Sequence, residues 1–276
     1  NTFSVAVGYR AGCAVQGTYA TAVGYTAGLN AQGTAATAVG YAAGRVSQNN
    51  YATALGSEAG YNAQGASAVA VGRVAGYNGQ GTYSVAVGYQ AGKTSQNNNA
   101  VAIGLDAGLN AQEPESVAIG HAAGSADQAN QAVAIGYATA QNSQGAGAVA
   151  IGSASGRNVQ SADAVAVGNS AGESAQGVRA VAVGYNAGLN AQGENATTLG
   201  YNSGKVSQGA DSVAVGVGAG EQSQGASAVA VGSLAGSADQ GTQSVAVGYL
   251  AAQNAQGDNS VAIGNQTGKN AQGASA

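Results

Sequence analysis

The sequence predicts an all-β protein, a parallel β-solenoid (β-roll) of about seventeen 16-residue coils. Three observations predict it. One motif recurs every sixteen residues, each copy holds a short stretch of alternating small and branched side chains, and glycines interrupt nearly every copy twice. A short repeat at fixed spacing is typical of solenoid proteins, in which each repeat forms one supersecondary unit that packs on its neighbours.

The repeat fills the chain without a break. Seventeen full copies occupy residues 1–272, and residues 273–276 begin another copy. Counted in places one to sixteen from residue 1, the consensus is G-x-x-[SA]-[VT]-A-[VIL]-G-x-x-A-G-x-x-x-Q. We therefore expect one continuous array over residues 1–276. We recognise no cap, stalk or membrane anchor, and both ends fall inside the pattern, so we expect the chain to be part of a longer protein.

Places four to seven of each copy are expected to form a strand. In Ser84-Val85-Ala86-Val87 the side chains alternate with the period of two that sends neighbours to opposite faces of a sheet. Gly88 should end this strand at a bend that other residues adopt less easily. A helix is a poor alternative, because each interior glycine costs about 1 kcal/mol relative to alanine. Sixteen residues suit a coil of two short strands.

Stacking of such coils places each side chain over its own copy in the next coil, ~4.8 Å away. Two structural columns follow from this register. Val and Ile at places five and seven should form a continuous hydrophobic seam in the core. Gln at place sixteen should form an unbroken amide ladder. The residues that mark these ladders and bends are Gln16, Gln96, Gln192, Gly8, Gly88, Gly264, Val87 and Ile263.

The other face of the same strand carries only small side chains. Place six is Ala in every copy except at Thr198, and place four is always Ala or Ser. A strand facing water would usually carry larger polar residues on that side. We therefore expect this small-residue face to be covered by an identical chain, which predicts a homo-oligomer.

The strand motif resembles a known repeat. Asn259 to Gly264 reads NSVAIG and Ser116 to Gly120 reads SVAIG, which are similar to the head repeats (Hep_Hag type) of the YadA-type trimeric autotransporter adhesins. Similar strings occur in some phage and virus fibre proteins. The resemblance extends over the whole chain, copy by copy. The sixteen-residue period is longer than the usual repeat of that family, and the Gln at place sixteen is not part of its usual signature.

This resemblance implies a left-handed parallel β-roll built from three identical chains. It also implies a bacterial surface location and binding to extracellular matrix proteins, such as collagen, or to cell-surface receptors. In the adhesin family, motifs of the NSVAIG type are tied to collagen binding. The matching positions here are Asn259 to Gly264, with a looser match at Ser84 to Gly88. Because the motif is also the predicted strand, its residues are expected to matter mainly for the fold.

Catalytic and cofactor sites are not expected. His121 is the only histidine and lies at place nine, which varies among copies. Glu113 and Glu115 flank the single proline at a turn, where solvated charges are ordinary. No second histidine or cysteine pair could complete a metal site, and no serine has a histidine partner. We expect no enzyme, no cofactor and no metal.

The charge pattern and hydropathy exclude two further classes of partner. The net charge is −4 and the bases are dispersed, so no basic stripe for nucleic acid is expected. No apolar run approaches the length that crosses a bilayer, so this segment should not insert directly into a membrane.

A column of tyrosines is the candidate contact surface. Tyr provides contact area at low entropic cost, which is the basis for one interpretation, a binding stripe. The interpretation we favour is that these rings cover the bend or fill a groove between chains. The eight positions are Tyr9, Tyr25, Tyr41, Tyr89, Tyr137, Tyr185, Tyr201 and Tyr249.

Three functions remain open. The first is an adhesin head or structural surface fibre that presents repeated surface for multivalent attachment, on a cell or virion. The second is a subunit of a self-assembling extracellular filament of the curli kind, or a segment of a phage or virus tail fibre. The third, an ice-binding solenoid, lacks the flat ranks of Thr that such surfaces use.

Overall fold

The structure is a computed structural model that describes residues 3–276. These residues form thirty β-strands of three residues each, and no helix is found among them. All pairings between the strands are parallel. The predicted all-β parallel β-solenoid is therefore confirmed.

The chain divides into two compact units, the first ending at Ala138 and the second beginning at Thr139. Each unit has two kinds of strand, which define two faces of the coil. We call the strands at places five to seven sheet A and those at places fourteen to sixteen sheet B.

In the first unit, strands of both kinds recur once per coil. Sheet A contains β1 (Val5–Val7), β2 (Thr21–Val23), β4 (Thr37–Val39), β6 (Thr53–Leu55), β8 (Val69–Val71), β10 (Val85–Val87), β12 (Val101–Ile103), β14 (Val117–Ile119) and β16 (Val133–Ile135). Sheet B contains β3 (Asn30–Gln32), β5 (Val46–Gln48), β7 (Asn62–Gln64), β9 (Asn78–Gln80), β11 (Thr94–Gln96), β13 (Asn110–Gln112) and β15 (Ala126–Gln128).

The second unit repeats this arrangement. Its sheet A contains β18 (Val149–Ile151), β19 (Val165–Val167), β21 (Val181–Val183), β23 (Thr197–Leu199), β25 (Val213–Val215), β27 (Val229–Val231), β29 (Val245–Val247) and β30 (Val261–Ile263). Its sheet B contains β17 (Asn142–Gln144), β20 (Ser174–Gln176), β22 (Asn190–Gln192), β24 (Val206–Gln208), β26 (Gln222–Gln224) and β28 (Ala238–Gln240). In coils that have no sheet B strand, isolated parallel β-bridges between the glutamines of successive coils continue sheet B.

The register between coils is sixteen residues. Val85 pairs with Val101 and Ala86 with Ala102, and in the second unit Val165 pairs with Val181. Each side chain therefore lies beside its own copy in the next coil, as the sequence predicts.

Glycine at place eight permits the close approach of neighbouring coils. Gly88 has a φ of +131°, and a Cβ built there would lie 2.5 Å from the carbonyl oxygen of Gly104. Gly8 has the same geometry against Gly24. Gly264 also has a positive φ, +126°, and an added Cβ would lie 2.9 Å from Oγ1 of Thr267. A side chain at place eight would therefore meet both backbone strain and a steric clash.

The core is built from the small residues, which corrects the predicted orientation of the strand. Ala86 at place six and Ser84 at place four are fully buried, whereas Val85 and Val87 lie on the outer face and are only half-buried. Ile263 is 64% exposed. The predicted hydrophobic seam of Val and Ile in the core is wrong. The expectation that another chain covers the small-residue face is wrong too, because that face is the interior of the coil.

A glutamine side chain fills the space that the small residues leave. Gln96 is fully buried, and its Nε2 donates to the carbonyl oxygen of Val85 in its own coil at 2.9 Å. The same Nε2 lies 3.3 Å from the carbonyl oxygen of Ala100 and 3.1 Å from Oε1 of Gln112 in the next coil. Because this amide reaches across the coil, the interior has room for methyl groups beside it but not for a second layer of large aliphatic side chains.

The glutamine ladder has gaps, so the expectation that it is unbroken is wrong. Gln16 and Gln192 are buried like Gln96. The links from Gln96 to Gln112 and from Gln224 to Gln240 are made. Among the residues that the structure describes, however, four buried Oε1 atoms have no hydrogen-bond partner: those of Gln32, Gln80, Gln192 and Gln208.

The gap between Gln192 and Gln208 lies beside the one residue that breaks the pattern at place six. Thr198 is fully buried where the other copies have Ala. Its Oγ1 lies 3.4 Å from Nε2 of Gln192 and donates to the carbonyl oxygen of Val181 at 3.2 Å. The threonine hydroxyl thus competes for the amide that would otherwise donate to Gln208.

Two glutamines of β26 provide a test of the ladder. Gln224 is buried and its Nε2 donates to the carbonyl oxygen of Val213 at 2.8 Å, whereas Gln222 is exposed. We expect Gln224→Ala to lower the free energy of unfolding by about 2–4 kcal/mol, because it leaves a void in the core and removes the donor to the side-chain oxygen of Gln240. Gln222→Ala should change it by less than about 0.5 kcal/mol. Chemical denaturation followed by circular dichroism measures both, and equal effects would contradict the role given to Gln224.

A second test concerns Thr198. We expect Thr198→Ala to raise the free energy of unfolding by about 1 kcal/mol, because Gln192 can then donate to Gln208 and one orphaned acceptor gains a partner. The control is Thr197→Val, which restores the commoner residue at the outward place five. A thermal melt in which Thr198→Ala is no more stable than the parent would show that the gap has another cause.

Candidate functional site

The tyrosines of place nine lie on the outside of the coil, immediately after the bend at place eight. All eight are exposed, to between 40% and 62%. In the first unit Tyr9, Tyr25 and Tyr41 stack in sequence, with ring centroids 5.1 and 5.4 Å apart. In the second unit Tyr185 and Tyr201 stack at 5.4 Å. The bend therefore orients successive rings face to face along the solenoid.

The other three tyrosines of this column are not part of a tyrosine stack. Tyr89 lies beneath the guanidinium of Arg73, 5.5 Å from the ring centroid. Tyr137 meets the imidazole of His121 edge to face at 5.2 Å. Tyr249 has Ser and Asn at place nine of the flanking coils and no ring contact among the described residues. The column is thus several separate clusters.

The other polar residues singled out from the sequence remain apart. His121, Glu113 and Glu115 are exposed. Nε2 of Gln131 donates to the carboxylate of Glu115 at 2.9 Å, and Nδ2 of Asn97 lies 3.5 Å from the carboxylate of Glu113. Within residues 3–276 no group of His, Cys, Asp and Glu has an arrangement that could hold a metal ion.

A groove lies beside the longest tyrosine stack, in the first unit. Its volume is about 260 Å³. One wall is the stack of Tyr9, Tyr25 and Tyr41, and the rest of the lining comes from places ten and thirteen of the repeat. The full lining is Tyr9, Arg10, Tyr25, Thr26, Leu29, Tyr41, Ala42, Arg45, Glu58 and Tyr61. Hydroxyl and charged groups therefore make up most of its surface.

Arg45 is the residue of this groove with an unmet hydrogen bond. Its guanidinium lies over the ring of Tyr61, 5.2 Å from the centroid, and Nη1 donates to the Tyr61 hydroxyl. Its Nε is buried and has no partner among the described residues. Burial raises the pKa of the neighbouring Tyr77, as do Tyr61 and Glu58, while Arg45 opposes the shift. Tyr77 and Tyr61 stack at 4.8 Å.

Sequence reasoning did not identify the side chains at place thirteen as part of a groove. That place holds Leu29, Arg45 and Tyr61 in successive coils, so no repeated residue type marks it. The charge distribution along the sequence does set this region apart from the rest of the chain. Residues 1–104 contain four of the eight Lys and Arg residues and one of the twelve acids, a net charge of +3 in a chain of net charge −4.

The outward residues of sheet A form a second candidate surface. We call the side chains at places five and seven the outer apolar stripe. They are Val or Thr and Val, Ile or Leu respectively, and in each unit they lie beside one another from coil to coil. Leu55, Ile103 and Leu199 are exposed. A contiguous apolar surface of this kind is typical of a protein interface.

Helices of the length and hydropathy needed to span a bilayer are not found in the part of the chain that the structure describes.

The tyrosine stacks can be tested by stability. Tyr25 has a stacked ring on each side, and Tyr249 has none. We expect Tyr25→Leu to lower the free energy of unfolding by about 1–2 kcal/mol more than Tyr249→Leu, because it removes two aromatic pairs. Parallel thermal and denaturant unfolding curves give this difference. Equal losses would show that the stacked rings contribute no more than isolated ones.

Comparison with known proteins bears on the repeat itself. A search of the curated proteins finds no match. The family model described as "YadA head domain repeat (2 copies)" matches residues 80–107, 175–203 and 240–267. Each of these segments includes two sheet A strands together with the bend glycines that follow them: β10 and β12, β21 and β23, and β29 and β30. The resemblance to the YadA-type heads is thereby confirmed over these three segments.

Proposed function

We propose that the chain is a non-enzymatic part of a surface fibre or adhesin head, located outside the cell and assembled from identical chains, three in the form we favour. The match to the YadA head repeat supports this role, since that family consists of trimeric adhesins. The proposed role is to present the same exterior many times for multivalent attachment to matrix proteins or cell-surface receptors.

The outer apolar stripe is the observation that carries the assembly. Val85 and Val87 flank a fully buried Ala86, and their side chains point away from the core that Gln96 fills. A single chain leaves this row of branched side chains facing water in coil after coil. Burial of such a row contributes roughly 25 cal/mol per Å² of apolar surface, and closed symmetric assembly buries it in every chain.

This location of the interface replaces the one expected from the sequence. The small-residue face lies inside the coil, so it cannot bind a second chain. The side chains at places five and seven, which the sequence analysis placed in the core, are the ones available for contact between chains. Their apolar character is then explained by burial between chains, where the sequence had suggested burial in the core.

Oligomeric mass tests the proposal directly. We expect sedimentation equilibrium to give three times the 26.1 kDa mass of the chain. The double variant Val215→Glu with Val231→Glu places two charges in the outer apolar stripe and should give monomers, because a buried unpaired charge is costly. Val217→Glu, two residues along the same coil on the exposed place nine, is the matched control and should leave the mass unchanged.

A monomeric parent chain at micromolar concentration would contradict the assembly. Location is tested separately, by antibody labelling of intact cells that express the complete gene. Labelling only after permeabilisation would contradict the surface role even if the chain proves to be oligomeric.

A further inference from the structure

We propose that the groove beside Tyr9, Tyr25 and Tyr41 binds an acidic saccharide, a pyranose ring that carries a carboxylate. The groove is defined by the lining residues given above and lies wholly within the first unit. This inference goes beyond the proposed function, because the binding is a property of one chain and does not depend on its assembly.

The unmet hydrogen bond of Arg45 indicates an anionic acceptor. A buried N–H without a partner costs about 1–3 kcal/mol, and Nε of Arg45 is such a group. The guanidinium is held in place by Tyr61, through its ring and its hydroxyl. A ligand carboxylate can accept from Nε only when the guanidinium turns toward the groove, because Nε is buried while these contacts hold. Charge-assisted hydrogen bonds of this kind are about twice as strong as neutral ones.

The local charge favours an anion over a cation. Arg10 and Arg45 line the groove together with one acid, Glu58. The surrounding stretch, residues 1–104, has a net charge of +3. An anion thus enters a region of opposite charge, although the chain as a whole is acidic.

Glu58 and the hydroxyl groups indicate that the rest of the ligand is rich in hydroxyls. Thr26 and the phenols of the tyrosine wall can donate or accept, and the carboxylate of Glu58 can only accept. A sugar ring offers both donors and acceptors around its rim. A polyanion would bring further negative charges against Glu58, so a ligand with a single carboxylate fits better than nucleic acid or a highly sulfated polymer.

The groove suits a small, ring-shaped ligand. At about 260 Å³ it is slightly smaller than the usual pocket for a drug-sized molecule. Its aliphatic lining is limited to Leu29, Ala42 and the methyl group of Thr26, which is too little for a fatty ligand. The edges of the tyrosine rings and these methyl groups can contact the C–H face of a pyranose.

The test compares two sugars that differ only at one carbon. D-Glucuronic acid carries a carboxylate where D-glucose carries a hydroxymethyl group. We expect ligand-observed NMR with the whole chain to show saturable binding of glucuronate, at least tenfold tighter than that of glucose. Binding should weaken as the salt concentration rises, because part of the attraction is between charges near the surface.

Variants assign the binding to the groove. Arg45→Lys retains the positive charge but lacks Nε, and we expect at least a fivefold loss of affinity for glucuronate. Arg157→Gln is the control, since Arg157 also lies at place thirteen but its coil has Ser153 in place of a tyrosine at place nine. That variant should bind as the parent does. Circular dichroism and thermal melting establish that each variant is folded, and Tyr25→Leu provides a second variant of the groove.

Three results would overturn the proposal: equal binding of glucose and glucuronate, undiminished binding by both Arg45→Lys and Tyr25→Leu, or tighter binding of a DNA oligonucleotide that the same variants weaken. Glucuronate binding is also measured in the Val215→Glu, Val231→Glu variant. Binding retained by monomers separates this site from the assembly, and each can then fail without the other.

Discussion

The fold depends on one hydrogen bond that recurs from coil to coil, between the amide of the glutamine at place sixteen and the backbone carbonyl of place five. Gln96 makes this bond to Val85, and Gln224 makes it to Val213. The side chain crosses the interior, so the two strands of a coil are held at the distance that one glutamine can span. This distance determines which residues fit inside. Methyl groups of Ala fit beside the amide, and branched side chains are left on the outer face.

Much of the architecture could be predicted from the sequence, but not which face of the strand is buried. The period of sixteen, the strand at places five to seven and the bend at Gly88 follow from spacing and from the lack of a Cβ. Alternation shows that Val87 and Ala86 face opposite ways. The general tendency of valine to be buried then suggests the wrong face. The correct choice requires the width of the coil, which becomes evident only when Gln96 is seen to span it.

The candidate surfaces, too, could be predicted from the sequence only in part. The tyrosines at place nine could be placed on one exposed edge because they repeat, and the structure adds that only some of them stack. The groove could not be predicted in the same way, because Leu29, Arg45 and Tyr61 share no residue type. Their proximity to the tyrosines arises from the turn at places nine to twelve, and side chains of four successive coils line the groove.

The fixed register has a consequence for how the gene can change. Each coil forms hydrogen bonds only with the coils before and after it, and like residues meet like residues. Loss or duplication of a forty-eight-nucleotide segment, the coding length of one sixteen-residue repeat, therefore rejoins the same kinds of partners and leaves the interior unaltered. Recombination between such repeats can lengthen or shorten the array by whole coils. A single-codon deletion within a strand, in contrast, would reverse which side chains face the glutamines.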